Sequence, residues 1–101
     1  MFLHHVYFWL NEPDNQTSYQ QLQKGIETLL AIEPKVMGHL GIPATTNRPV
    51  IDTSYQFSLL LIFNDLKDQE SYQEHPIHLK FVEDCSALWS KVLIYDSVDP
   101  N

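Results

Sequence analysis

The stretch YQFSLLLIF, Tyr55 to Phe63, decides the fold. Nine residues, all aromatic or aliphatic but Gln56 and Ser58, without Gly or Pro and stopped by Asn64-Asp65, are too short for a typical helix and read as a strand. An antiparallel strand with one face in water alternates apolar with polar residues. This one does not: Leu59, Leu60, Leu61, Ile62 and Phe63 are apolar on both faces. Val6, Tyr7, Phe8, Trp9 and Leu10 repeat the feature. If helices cover one side of such a sheet, something outside the single chain must cover the other, because a contiguous apolar patch of that size marks association. A twofold homodimer packing sheet on sheet is the expectation.

Working outward from Tyr55–Phe63, Asn64-Asp65 caps a helix running to about Glu74, and Pro76 suits the first position of a further helix, where its missing N–H is not needed. The same proline disfavours helical geometry at His75. One helical region is thereby divided into two segments set at an angle. Lys91 to Ser97 closes the chain as a strand, and Phe2 to Leu10 opens it as one. Between the strands at either end of the first half, Tyr19, Leu22, Ile26, Leu29 and Leu30 recur at helical spacing over Thr17–Ile32, with Asn15, Thr17 or Ser18 as cap and Pro34 as terminator. Lys35 to Ile42 alternates loosely as a short strand, and Pro43 to Ser54 forms a long loop. The order is β-α-β-β-α-β with a split second helix: an α+β, ferredoxin-like arrangement of four antiparallel strands under helices on one face. All 101 residues read as one domain.

Charge and composition narrow the function. A formal net charge of -7, with only 6 Lys and Arg, repels a phosphate backbone and argues against nucleic acid as partner. The apolar stretch MFLHHVYFWL lacks a basic flank and is interrupted by two histidines, which fits neither a signal peptide nor a membrane span. A single cysteine, Cys85, on an apolar helical stripe reads as core and fits a reducing, cytoplasmic setting. Glu70, Glu74, Glu83 and Asp84 read as a solvated acidic face, and no Gly-rich phosphate loop is present.

The chemistry-bearing residues cluster around the helix break. His78, Phe81, Val82, Cys85 and Trp89 follow the i, i+3, i+4, i+7, i+11 spacing, so His78 belongs on the stripe facing the sheet. Burial and the positive end of the helix dipole both disfavour its imidazolium, leaving a neutral ring that can accept a proton. Tyr72, in the last turn before the break, brings a phenol able to hold a substrate oxygen. The bland alternative for His78 is a satisfied core residue; for Tyr7, Trp9 and Trp89 it is core packing. His75 is placed to cap the second segment. His75 and His78 with His4 or His5 make a weak metal signal, since no carboxylate or cysteine joins them at ligand spacing. His4 and His5, being adjacent in a strand, face opposite sides of the sheet.

The motifs HHVYFWL, SYQFSLLLIFND, YQEHPIHLKFV and KVLIYD together resemble the stress-responsive A/B barrel (Dabb) family, and the Tyr-x-x-His-Pro-x-His run is the most specific of them. The resemblance spans nearly the whole chain and implies a dimeric α/β barrel built from two ferredoxin-like chains. It also implies a pocket chemistry: the family includes olivetolic acid cyclase, a cofactor-free plant polyketide cyclase using a Tyr–His pair, and the matching positions here are Tyr72 and His78, with His5 as a pocket histidine. Phe57 departs from that pattern, standing where the cyclase has a further histidine. The expectation is a small-molecule-binding, stress-associated domain with a largely apolar pocket between helices and sheet. Tyr72 and His78 would be catalytic, His5, Tyr7, Trp9, Leu59, Phe81 and Trp89 would line the ligand, and no cofactor would be needed. The rival expectations are a dimeric scaffold without chemistry, and a monooxygenase-like or haem-handling barrel.

Overall fold

A computed structural model describes all residues from Met1 to Asn101. Its elements are β1 (Phe2–Leu10), α1 (Gln16–Leu29), β2 (Met37–Gly41), β3 (Phe57–Phe63), α2 (Leu66–Glu74), α3 (Pro76–Cys85) and β4 (Trp89–Val98), with a single 3-10 turn, Ser86–Leu88, before the last strand. The strands form one antiparallel sheet in the order β2-β3-β1-β4, the ferredoxin-like topology, so β1 and β3 are central and β2 and β4 are edges. The two central strands are the two that are apolar on both faces. No helix is long and apolar enough to cross a membrane.

Burial alternates strictly along both central strands. Phe2, His4, Val6, Phe8 and Leu10 of β1, with Phe57, Leu59, Leu61 and Phe63 of β3, point under the helices and are buried. Leu22, Ile26 and Leu29 of α1, Tyr72 of α2, and Phe81 and Cys85 of α3 close over them to make one core. Leu3, His5, Tyr7 and Trp9 of β1, and Ser58, Leu60 and Ile62 of β3, face the other way and keep partial exposure. That open face carries no helix.

The caps follow local chemistry. Asn15 Oδ1 accepts the Ser18 N–H at 3.1 Å and Asp65 Oδ1 accepts the Asp68 N–H at 2.9 Å, each satisfying an amide that the first helical turn leaves free. His75 adopts extended geometry (φ -63, ψ 137), Pro76 opens α3, and His75 Nδ1 accepts the Ile77 N–H at 3.1 Å. The ring is committed to capping, as its position beside Pro76 implied.

Three sequence expectations move. α1 ends at Leu29, where Leu30 donates its N–H to Glu27, so the helix stops before Pro34 is reached. Tyr55 and Gln56 precede β3, although Gln56 still donates its N–H to the Phe8 carbonyl at 2.9 Å. The apolar stripe of α3 does not continue into Trp89: the 3-10 turn intervenes and Trp89 begins β4, while Val82 is 40% exposed. The register of β4 against β1 shifts between Trp9 and Leu10, pairing Leu10 with Trp89 and Trp9 with Lys91. This bulge turns Trp89 under the helices, opposite to Lys91, which pairs with Trp9 on the open face.

Candidate functional site

A cavity of about 220 Å³ lies between the helices and the β1–β4 half of the sheet. Leu59, Phe81, Val92 and Trp89 form apolar walls, and His4, Tyr72, Gln73 and His78 are the polar groups. Its volume is below the ~300–1,000 Å³ common for drug-sized ligands, so it suits a small molecule. Phe8, Phe81 and Trp89 pack with ring centroids 5.4 to 6.0 Å apart and close one end.

Tyr72 and His78 meet here because the helix breaks between them. Tyr72 lies in the last turn of α2, His78 sits in the first turn of α3, and the extended His75 brings the two rings to 4.9 Å at an interplanar angle of 64°. Tyr72 also stands edge-on to His4 at 5.8 Å and against Phe63 at 5.5 Å. At 3% exposure, burial pushes the Tyr72 phenol well above its ordinary range, so it stays protonated and keeps an O–H to donate.

Burial lowers the His78 pKa below 6.5, and the nearby His4 imidazole lowers it further. The Gln73 carbonyl pulls the other way, yet Nδ1 of His78 is shut from solvent and makes no hydrogen bond. A neutral imidazole with an unpartnered buried nitrogen is costly in a folded protein, about 1–3 kcal/mol for an unmet polar group. Such groups are concentrated where proteins do chemistry.

His4 is the residue that sequence reasoning missed. It is 2% exposed, and its Nδ1 lies 2.6 Å from Asp96 Oδ1 on β4. The hydrogen-bond network assigns the tautomer: Nδ1–H donates to the carboxylate, and Nε2 faces the Gln73 amide nitrogen at 3.5 Å as acceptor. An oriented imidazole thus borders the same cavity as the Tyr72–His78 pair. The signal was the pairing of His4 with Asp96, 92 residues apart, which only the strand register reveals.

Leu59, Tyr72, His78, Phe81 and Trp89 line one cavity, and the other candidate residues lie elsewhere. His5, Tyr7 and Trp9 do not reach this cavity, because the pleat of β1 points them to the open face. His4 takes the place expected of His5, and Phe8 that expected of Tyr7 and Trp9. His5 stacks on Tyr7 with ring centroids 4.5 Å apart, its pKa lowered first by burial and then by His4. Phe57 is wholly buried in the core beside Tyr19. No three His, Cys, Asp or Glu side chains converge as a metal ion would require.

Comparison with known proteins adds to this geometry. The family model described as the stress responsive A/B barrel domain matches residues 2–99. Among solved structures, a Dabb family protein with a ferredoxin-like fold from Mesorhizobium loti superposes with a TM-score of 0.80 at 24% identity, covering 99% of this chain and 97% of its own. The hydroxynitrile lyase from Passiflora edulis gives a TM-score of 0.76 at 16% identity over 98% of this chain and 93% of its own. A dimeric ferredoxin-like protein of unknown function from Thermobifida fusca gives 0.74 at 15% identity, covering 95% of this chain and 88% of its own. No curated protein matches the chain.

Proposed function

This chain belongs to the stress responsive A/B barrel domain family, and we propose that it binds a small, largely apolar, oxygen-bearing molecule in the cavity under α2 and α3 and acts on it by acid–base chemistry of its own side chains. The observation that carries the reading is the Tyr72–His78 pair: two polar rings 4.9 Å apart in an apolar cavity, one a phenol held protonated and the other an imidazole held neutral. Neither group is tied down by a charged partner. With Nδ1 closed off, Nε2 is the nitrogen of His78 left to meet a ligand.

In this reading His78 removes a proton from carbon α to a carbonyl, and the C–H electron pair moves to the oxygen as an enolate. The Tyr72 phenol donates its hydrogen bond to that oxygen, and the imidazolium returns its proton to the product. General-base assistance of this kind is worth about 10²- to 10⁴-fold. His4, held by Asp96, fixes the far side of Tyr72 and gives the oxygen end of the cavity a second polar wall. The Passiflora edulis neighbour, a lyase, supports the reading to the extent that the same fold accommodates a lyase elsewhere.

The proposed assembly is a homodimer through the open sheet face. Support comes from the apolar side chains that β1, β2 and β3 leave there, among them Leu3, Met37, Leu60 and Ile62, and from the dimeric Thermobifida fusca neighbour.

The test is α-proton exchange of a small ketone such as phenylacetone in D2O, followed by NMR. Wild-type protein should accelerate exchange; Tyr72→Phe and His78→Ala should each lose most of the acceleration while remaining folded. If both variants bind and exchange as wild type does, or if His78→Ala unfolds and Tyr72→Phe changes nothing, the two residues are structural and the proposal fails.

A further inference from the structure

On the opposite side of the sheet, a recess of about 280 Å³ is lined by Tyr7, Trp9, Asp52, Tyr55, Leu93 and Tyr95. Its rings are walls and not a stack: Tyr7 stands at 71° to Tyr55 and 76° to Tyr95, and Trp9 at 77° to Tyr55, with centroids 4.9 to 6.3 Å apart. Four aromatic side chains line the hollow, and a ring face left open there attracts a cation. A carboxylate completes the box. Trp9 Nε1 donates to Ser54 Oγ at 3.0 Å, and Ser54 donates through both Oγ (2.5 Å) and its backbone N–H (2.7 Å) to Asp52 Oδ1. Those bonds tie the end of the long loop to the sheet and hold the Asp52 carboxyl below its usual range, side-chain bond first.

A cation already uses one wall. Lys91 Nζ lies 4.6 Å from the centre of the Trp9 ring, placed on this face by its pairing with Trp9 across β1 and β4. Its side chain is exposed, so it can be displaced. We propose that this recess is a second binding site, for an organic cation bearing a quaternary or methylated ammonium group. Such a group is weakly hydrated, fits an aromatic box, and is drawn by the Asp52 carboxylate in a protein of net charge -7. The open face divides accordingly. Leu3, Met37, Leu60 and Ile62 form an aliphatic half fit to pack against a second copy, whereas the aromatic half carries Asp52 and Lys91, and charge is depleted from interface cores.

The chain has two tryptophans on opposite sides of the sheet, so the indole N–H signals of the 15N-labelled full chain report on the two sites separately. Choline is titrated against its neutral isostere 3,3-dimethylbutan-1-ol. Choline should shift the Trp9 signal saturably and leave Trp89 still, and the alcohol should do neither. Lys91→Met, removing the resident cation, should tighten choline binding about two- to five-fold, the reach of an exposed cation–π contact. Tyr55→Ala and Asp52→Asn should each weaken it several-fold, with the fold monitored by the unchanged remainder of the spectrum. An equal response to the alcohol reduces the recess to an apolar cleft and overturns the proposal. So does silence towards both probes, a choline response at Trp89 alone, or weaker binding in Lys91→Met.

Discussion

Replacing His78 by Leu should make the protein more stable while destroying the site. In the native chain the His78 ring keeps a buried Nδ1 without a hydrogen bond, and an unmet buried polar atom costs about 1–3 kcal/mol. The nearby Gln73 carbonyl offsets part of that, which favours the lower end of the range. The substitution also removes the edge contact with Tyr72, about 0.5–1.5 kcal/mol for an aromatic pair. Taking about 1.5 kcal/mol for the unmet atom and about 1 kcal/mol for the ring pair, the net expected gain at pH 8 is about 0.5 kcal/mol, worth about 2–4 °C in Tm for a domain of this size. The gap should widen in acid. Burial holds the folded-state pKa of His78 below 6.5, so at pH 8 the ring is neutral in both states and contributes almost no pH dependence; that dependence sets in as the pH falls towards 6.5. Below it the unfolded chain binds the proton first, and wild-type stability falls until the folded pKa is passed. His78→Leu escapes that loss, whereas His5, whose pKa is lowered too, contributes equally to both proteins. Urea unfolding followed by tryptophan fluorescence at pH 8 and pH 5.5, with m unchanged, measures the difference. A variant destabilised by more than about 1 kcal/mol at pH 8, or a gap that narrows towards acid, would refute the reasoning and make the imidazole a packing group.

Other perturbations follow from the same coordinates. Gly25→Ala would put a Cβ 2.5 Å from Cys85 Sγ and 3.2 Å from Phe81 Cδ1, so it should cost about 1–3 kcal/mol by overpacking, and adding Cys85→Ala should recover most of the loss in the urea midpoint. Asp96→Asn weakens the hydrogen bond that orients His4; with the carboxylate side chain 44% exposed, a stability loss of about 1 kcal/mol or less is expected, with ketone exchange slowed more than ketone binding. Ile62→Lys should lower the solution mass measured by light scattering towards that of one 11.8 kDa chain if the aliphatic half of the open face is the dimer contact. An unchanged mass would place the contact elsewhere.

Much of the fold was legible because local chemistry and long-range packing agree. The run Leu59–Phe63, short, apolar on both faces and stopped by Asn64-Asp65, favours a strand, Asn15 and Asp65 are caps by residue type, and Pro76 forces the break that unites Tyr72 with His78. The site was half legible for a physical reason. Alternation separates His4 from His5 with certainty, yet both sets of β1 residues, Phe2-Val6-Phe8-Leu10 and Leu3-Tyr7-Trp9, are apolar, so the pattern has no polar side to say which set goes under the helices. The pairing of His4 with Asp96 depends on the β1–β4 register, and the turning of Trp89 depends on a one-residue bulge. Neither leaves a mark in local sequence. Trp89 does reach the cavity, but from β4 and not by helical spacing, which the 3-10 turn ends after Cys85.

The shortness of α2 has a kinetic meaning. It is 9 residues long, buries only Gln69 and Tyr72, and is severed from its continuation at His75. A segment of that length does not hold its shape unaided, since isolated helices below ~12–15 residues are marginal in water. Its amides should be the first of the helical ones to exchange with solvent, while those of β1 and β3 wait for global opening. Early loss of amide protection in α2, ahead of the sheet, would mark the panel bearing the phenol as the moving wall of the hollow, with the sheet as its fixed floor.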